Sequence, residues 1–339
     1  MAIPVRRWPW ICSASRVTAA TIGIHYSHEQ QSPSQLLAHV RLAADAGFRD
    51  GMCSDHFHPW LSTQQHSGFA WSWLGAALAT SSLSFGTVCA PGQRYHPAVI
   101  AQAAATLAEM FPDRFWLAVG SGEALNEHIT GDPWPVKAVR DRRLRECVDV
   151  MRALWAGDTV THRGLVTVVD ARLHTRSAQP PMLVGAALSP MTARWVATWA
   201  DALITVAGPR DAMRSVVDAF REGGGEHKPM FLQVALSCAP TDEESRQAAL
   251  AWRQAALSTD LLANLANPDA FDRATLEVAR RDVLGRVRAS ADPGRLLATL
   301  REDAALGFSR LYLHNVAAHH QERFIDACAT AIIPAFTHR

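Results

Sequence analysis

Eight short apolar runs recur along the chain, each of strand length and each set off from the next by residues with helical periodicity. They are Thr21–Tyr26, Asp50–Ser54, Leu83–Cys89, Phe115–Gly120, Met182–Ala186, Ala202–Val206, Phe231–Cys238 and Arg310–His314. Runs this apolar have to be covered on both faces, the condition of a parallel sheet flanked by helices. Eight such strands are the number that closes on itself, so the pattern predicts an α/β fold, a single (β/α)8 TIM barrel. Helix punctuation agrees. Ser32-Pro33 supplies a cap and a first-turn proline, and Ala43-Ala44-Asp45-Ala46 runs into the stop Gly47. Ala98–Met110 reads as an alanine-rich helix, and Val139–Trp155 as an amphipathic one with Leu144, Val148, Met151 and Leu154 on one stripe.

Two insertions interrupt the alternation. Asp158–Thr175 has the period of a hairpin after the fourth helix, and Leu257–Gly285 is a helical excursion before the last helix–strand unit. No linker rich in Pro, Gly or Ser and no internal repeat divides the chain, so 18–339 reads as one barrel. Residues 1–17 contain Arg6-Arg7-Trp8-Pro9-Trp10 without the apolar stretch an export signal needs. They read as a flexible N-terminal extension, or as the product of a start placed too far upstream.

Composition bounds the partners. A formal net charge of +1 builds no field to gather nucleic acid or an anionic membrane. No apolar run reaches the roughly eighteen residues of a membrane span. The cysteines Cys12, Cys53, Cys89, Cys147, Cys238 and Cys328 form no C-x-x-C pair, and several lie in apolar runs. Reduced, buried thiols in a cytoplasmic protein are expected.

In a barrel the loops after the strands form the open mouth, where chemistry is mounted. The second run is followed by Asp55-His56-Phe57-His58-Pro59-Trp60, and the fourth by Ser121-Gly122-Glu123-Ala124-Leu125-Asn126. A histidine titrates near neutrality, so His56 and Glu123 across a mouth could act as base and acid on two reacting partners. Equally, Asp55 could merely orient His56 while Glu123 caps the next turn; the residues alone leave both readings open. After the fifth run, Ala187-Leu188-Ser189-Pro190 opens a helix whose N–H groups suit a phosphate, or is simply a capped helix. Trp60, Phe69, Trp71 and Trp73 are either core or a platform for a flat ring. A metal reading rests on His56-Phe57-His58 with His25 and His28. Gly185-Ala186-Ala187 and Thr205-Val206-Ala207, at the later strand ends, offer no usual ligand, so no metal is expected.

Ser54–Trp60, His66–Trp73, Arg94–Gln102 and Gly120–Glu127 follow the order and spacing of the bacterial luciferase-like superfamily. Over about Thr21 to Phe336 the chain resembles its branch of F420-dependent glucose-6-phosphate dehydrogenases. The resemblance implies a soluble oxidoreductase barrel with a flavin or deazaflavin (FMN or F420) in its mouth, acting on a small molecule and paired as a homodimer. It makes His56 the base for a substrate hydroxyl, Glu123 the acid for the coenzyme ring, and Trp60 the aromatic that stabilises developing charge. Asp55, Ser121, Gly122 and Asn126 become coenzyme contacts, and Ala187, Leu188 and Ser189 the phosphate segment. Val88 and Cys89 fall on a bulge that in the family contains a non-proline cis peptide behind the ring.

The departures fall elsewhere. The bulge segment Thr87–Gln93 is one residue short, and Leu188-Ser189 replace a glycine pair. Where the family holds a sugar phosphate with a threonine and two lysines, this chain has Val206, Pro209 and the neighbourhood of Leu262. Arg210 and Arg286 are left as candidate substrate contacts. Glucose 6-phosphate is therefore not the expected substrate, because charge-assisted bonds supply most of the affinity for a dianion. F420 and FMN both remain open. So do a hydride-transferring dehydrogenase and an FMN-dependent monooxygenase, with a metal-dependent hydrolase or a ligand carrier as the outlying readings.

Overall fold

The computed structural model describes residues 20–337; the expected extension at 1–17 lies outside them. In chain order the elements are β1 (Thr21–Tyr26), α1 (Pro33–Asp45), β2 (Asp50–Ser54), α2 (Ala70–Thr80), β3 (Ser84–Cys89), α3 (Pro97–Met110) and β4 (Phe115–Val119). Then come α4 (Ala124–Glu127), α5 (Lys137–Ala156), β5 (Val160–Arg163), β6 (Thr167–Ala171), β7 (Met182–Ala186), α6 (Pro190–Val196), β8 (Ala202–Val206), α7 (Arg210–Phe220) and β9 (Met230–Ser237). The chain continues through α8 (Asp242–Ala251), α9 (Thr259–Asn264), α10 (Pro268–Ala274), α11 (Arg280–Leu284), β10 (Arg288–Ala289), α12 (Pro293–Ala304), β11 (Arg310–Asn315), α13 (Gln321–Ala327) and α14 (Pro334–Thr337).

Strands β1, β2, β3, β4, β7, β8, β9 and β11 pair in parallel around a closed ring, β11 returning to β1, so the expected (β/α)8 barrel is formed. The expected strands match to within a residue; where ends differ, as in Ser84 for Leu83, the hydrogen-bond ladder sets the limit rather than apolarity. The insertion after α5 is the antiparallel hairpin β5–β6. The late excursion becomes α9, α10 and α11, separated at Leu265–Asn267 and Thr275–Ala279. Capping at Ser32 is as expected: its hydroxyl accepts from the Gln35 N–H.

Two cores share the strands. Outward-facing residues such as Ile22, Ile24, Phe85, Leu117 and Leu183 pack under the helices. Inside the barrel Met52, Trp116, Ala118, Val184, Ala202, Ile204, Phe231 and Tyr312 fill the lumen. The large rings need small neighbours. A Cβ on Gly86 would sit 2.0 Å from the Trp116 ring, and one on Gly23 2.6 Å from Tyr312. Gly86→Ala is therefore expected to cost about 1–3 kcal/mol or more through overpacking, read as a lower urea midpoint at unchanged m-value. An unshifted midpoint would show that Trp116 can move aside.

The strand-three bulge is a correction. β3 pairs in continuous register with β2 and β4 through Val88 and Cys89, and no cis peptide bond occurs among the described residues. Strand alternation then separates the two side chains: Val88 faces the lumen cluster, while Cys89 is buried outward under the helices. The five cysteines among the described residues are free and buried, as expected. Among those residues no helix is long and apolar enough to cross a membrane.

Candidate active site

The mouth is built on the C-terminal ends of the barrel strands. His56 stands just beyond β2 between two carboxylates from different strands. Its Nδ1 lies 3.4 Å from Glu29 Oε1, past the end of β1, and its Nε2 lies 3.8 Å from Glu123 Oε2, past β4. The Trp60 ring stands 4.8 Å from the His56 ring and is backed edge-on by Phe271 of α10 at 5.2 Å. The expected pairing of His56 with Glu123 and Trp60 is thus assembled in one place.

Glu29 is the group sequence reasoning missed. It is buried, and its Oε2 accepts hydrogen bonds from Ser27 Oγ at 2.5 Å and Ser54 Oγ at 2.9 Å. Burial alone would push its carboxyl up, but His56 and these hydroxyls outweigh that and hold it below the ordinary range. The available signal was the serine–acid spacing Ser27-His28-Glu29 directly after the first strand.

Glu123 is the opposite case. It occupies the N-cap position of α4 but makes no capping hydrogen bond, which removes the capping role left open by the sequence. Its side chain keeps 31% exposure toward the mouth, yet desolvation by the surrounding walls dominates. That burial, reinforced by Glu29 and Glu127 and opposed by His56 and Arg94, raises its carboxyl to about 7. A low-lying carboxylate and a high-lying acid thus flank one imidazole, a division of labour suited to moving two protons. The turn that presents Glu123 needs Gly122, whose φ of +84° is open to glycine.

Asp55 does not cap His56. It is buried, accepting from Tyr95 Oη at 2.9 Å and pairing with Arg94 at 3.4 Å. Asn126 joins the loops after β2 and β4: its Oδ1 accepts from the Phe57 N–H at 2.9 Å, and its Nδ2 lies 3.4 Å from Glu123 Oε2. Ser121 lies in the glycine-flanked turn between β4 and α4. Beyond β7, Ala187 is buried, Leu188 is exposed, and Ser189 caps α6 by accepting from the Thr192 N–H. Trp71 and Trp73 lie in the helix-covered core, so of the aromatic group only Trp60 meets His56.

Other sequence expectations separate here. Arg210 leaves the mouth: its Nη1 donates to the Glu302 carbonyl at 3.1 Å on α12, because α7 starts there and carries the side chain outward. Arg286 lies beside Gly208 just beyond β8; its backbone N–H donates to the Val283 carbonyl at 2.9 Å, while its side chain has no ion pair or hydrogen bond among the described residues. His58 turns from His56, donating from Nδ1 to the Leu125 carbonyl at 3.1 Å and stacking on His128. His25, His28 and His314 are buried wall residues, and burial pushes all three imidazoles down, His28 and His314 to about 4. No group of three or more His, Cys, Asp or Glu side chains among the described residues is arranged to hold a metal.

With this geometry in place, comparison with known proteins decides the family. A family model for luciferase-like monooxygenases matches residues 15–310. The chain belongs to that family. This luciferase-like protein is an enzyme, an oxidoreductase. It is 33% identical over 324 residues to the F420-dependent glucose-6-phosphate dehydrogenase of Beutenbergia cavernae, covering 92% of this chain and 96% of that one. It is similar to a solved F420-dependent secondary alcohol dehydrogenase in complex with an F420–acetone adduct. That match has 28% identity and a TM-score of 0.86, over 94% of this chain and 99% of the other. The FMN-bound oxygenating constituent of 3,6-diketocamphane monooxygenase from Pseudomonas putida shares the fold: 15% identity and a TM-score of 0.66, over 94% and 98% of the two chains.

Proposed function

We propose that this luciferase-like enzyme moves hydride between F420 and an alcohol, or the corresponding carbonyl compound, with His56 as base and Glu123 as acid. The observation that carries the reading is the line Glu29–His56–Glu123, at 3.4 and 3.8 Å. Bound F420 supplies a two-electron hydride acceptor; the protons are handled by the chain. His56 takes the hydroxyl proton, and the imidazolium so formed is countered by Glu29 behind it, as in other base–orienter pairs. Glu123 holds a proton near neutrality and delivers it to the coenzyme side. Trp60, its ring 4.8 Å from the imidazole and tilted by 59°, helps exclude water.

We read the mouth as the seat of a flat coenzyme ring. Leu188 and Val206 keep 47% and 45% of their surface open at the ends of β7 and β8, where an apolar ring edge would cover them. Val88, Ser121, Gly122 and Asn126 would line the ring, with Asp55 sealed behind them on Arg94 and Tyr95, and Ala187, Leu188 and Ser189 the phosphate of its side chain. The relatives at 33% and 28% identity are named for F420, and this favours F420 over FMN.

The substrate is an alcohol without a phosphate. Val206 and Pro209 stand where the resemblance places a threonine and a lysine, and Arg210 is committed to the Glu302 carbonyl, which leaves Arg286 as the candidate cation. Fluorescence titration with F420 and with FMN tests the coenzyme, and loss of F420 absorbance tests the substrate, using 2-propanol and glucose 6-phosphate. Binding of F420 in preference to FMN, with reduction by 2-propanol and not by the sugar phosphate, is expected. Binding of FMN alone would overturn the coenzyme, and efficient reduction by glucose 6-phosphate the substrate class.

A further inference from the structure

Arg94, on the loop after β3, is sealed between two carboxylates that come from two other elements. Its Nη2 donates to the Asp55 carbonyl at 2.9 Å and lies 3.4 Å from Asp55 Oδ2. On the other side its Nε lies 3.5 Å from Glu127 Oε1, and its backbone N–H donates to Glu127 Oε2 at 2.7 Å. Tyr95 completes the cluster, donating to Asp55 Oδ1 at 2.9 Å with its ring 4.3 Å from the guanidinium. The Arg94 side chain is 8% exposed and the two carboxylates 1%, so this cation is not available to a substrate.

What it joins is informative. Asp55 immediately precedes His56. Glu127 ends the single helical turn α4 that Glu123 opens. We propose that Arg94 is a positioning residue for the Glu123 acid: by clamping Asp55 to Glu127 it fixes the loop bearing His56 against the helix bearing Glu123, and it sets the charge balance beneath that acid. One guanidinium faces two carboxyl groups in a dry site. Burial accordingly raises both the Asp55 and Glu127 carboxyls, with Arg94 opposing the rise.

The charged groups that bear on Glu123 come from four segments: His56 after β2, Glu29 after β1, Arg94 after β3 and Glu127 on α4. Arg94 and His56 favour its charged form; Glu29 and Glu127 disfavour it. Removing Arg94 and removing Glu127 should therefore move the Glu123 midpoint in opposite directions. A clamp that served only to hold the fold would behave otherwise. Loosening it from either side would admit water and bring Glu123 down toward the ordinary carboxyl range both times.

The inference rests on Glu123 being the acid of the proposed reaction, but its test needs neither coenzyme nor substrate. In the full chain labelled with carboxyl-13C glutamate, the Glu123 resonance is assigned by its loss in Glu123→Gln and followed against pH. The wild-type midpoint is expected near the value of about 7 given by the site. Arg94→Met should raise it and Glu127→Gln lower it, each by about one pH unit, the size a neighbouring charge imposes. Arg94→Lys, which keeps the charge but loses the two-sided fork, should move it less than Arg94→Met. Shifts of the same sign in Arg94→Met and Glu127→Gln, or no shift in either, would overturn the proposal. Should Arg94→Met fail to fold, Arg94→Lys decides: a midpoint held at or above the wild-type value supports the proposal and one lowered below it overturns the proposal. Failure of F420 to bind would count against the coenzyme reading and leave this titration intact.

Discussion

Replacing His56 with alanine should lower the rate of F420 reduction by about 10²–10⁴-fold, the range that a positioned general base contributes. F420 affinity should stay largely intact, because His56 faces Glu29, Glu123 and Trp60 and is assigned to the substrate rather than to the coenzyme. The measurement is a pair: a fluorescence titration with F420 and a progress curve with 2-propanol. Loss of coenzyme binding with normal residual turnover would reassign His56 to the coenzyme. A turnover unchanged by the substitution would remove it from the reaction.

Glu123→Gln should lower the same rate by a comparable factor of about 10²–10⁴, since it deletes the proton donor while keeping the shape. It should also change the pH behaviour. With its carboxyl raised to about 7, wild-type Glu123 is a proton donor below that pH, so coenzyme reduction should fall as pH rises through it. The glutamine variant should lack this limb. Stability follows the same titration. The folded state holds its proton more tightly than the unfolded chain, so the favourable contribution is complete below the ordinary carboxyl range and is lost as pH rises through about 7. Glu123→Gln should therefore gain in melting temperature relative to wild type at pH 8 compared with pH 4. An equal difference at both pH values would mean that Glu123 titrates normally.

The barrel was legible because its signal is local and repeated. Each strand announces itself as an apolar run bounded by helix caps, and eight such runs leave little freedom in how they close. His56, Trp60 and Glu123 were legible for a related reason: they directly follow strands, so predicting the strand predicts the face. Cys89 shows the limit of that logic. It lies on the right strand, but the period-2 alternation sends it outward, and one residue decides between mouth and core.

Glu29 and Arg94 were on the page as letters without a role. Nothing in their spacing says that Glu29, past β1, reaches His56, past β2, or that Arg94, past β3, bridges Asp55 and Glu127. Arg210 is the converse, a cation placed at the mouth by position alone and carried away by the first turn of α7. The sequence by itself determined the barrel, the strand ends and the acid–imidazole chemistry available there, since backbone periodicity and residue type are local properties. Only the tertiary structure decided which carboxylate faces which side of His56 and which of the two is held low and which raised. Those depend on distances of 3 to 4 Å between loops distant in sequence, and on burial, which no stretch of sequence possesses alone.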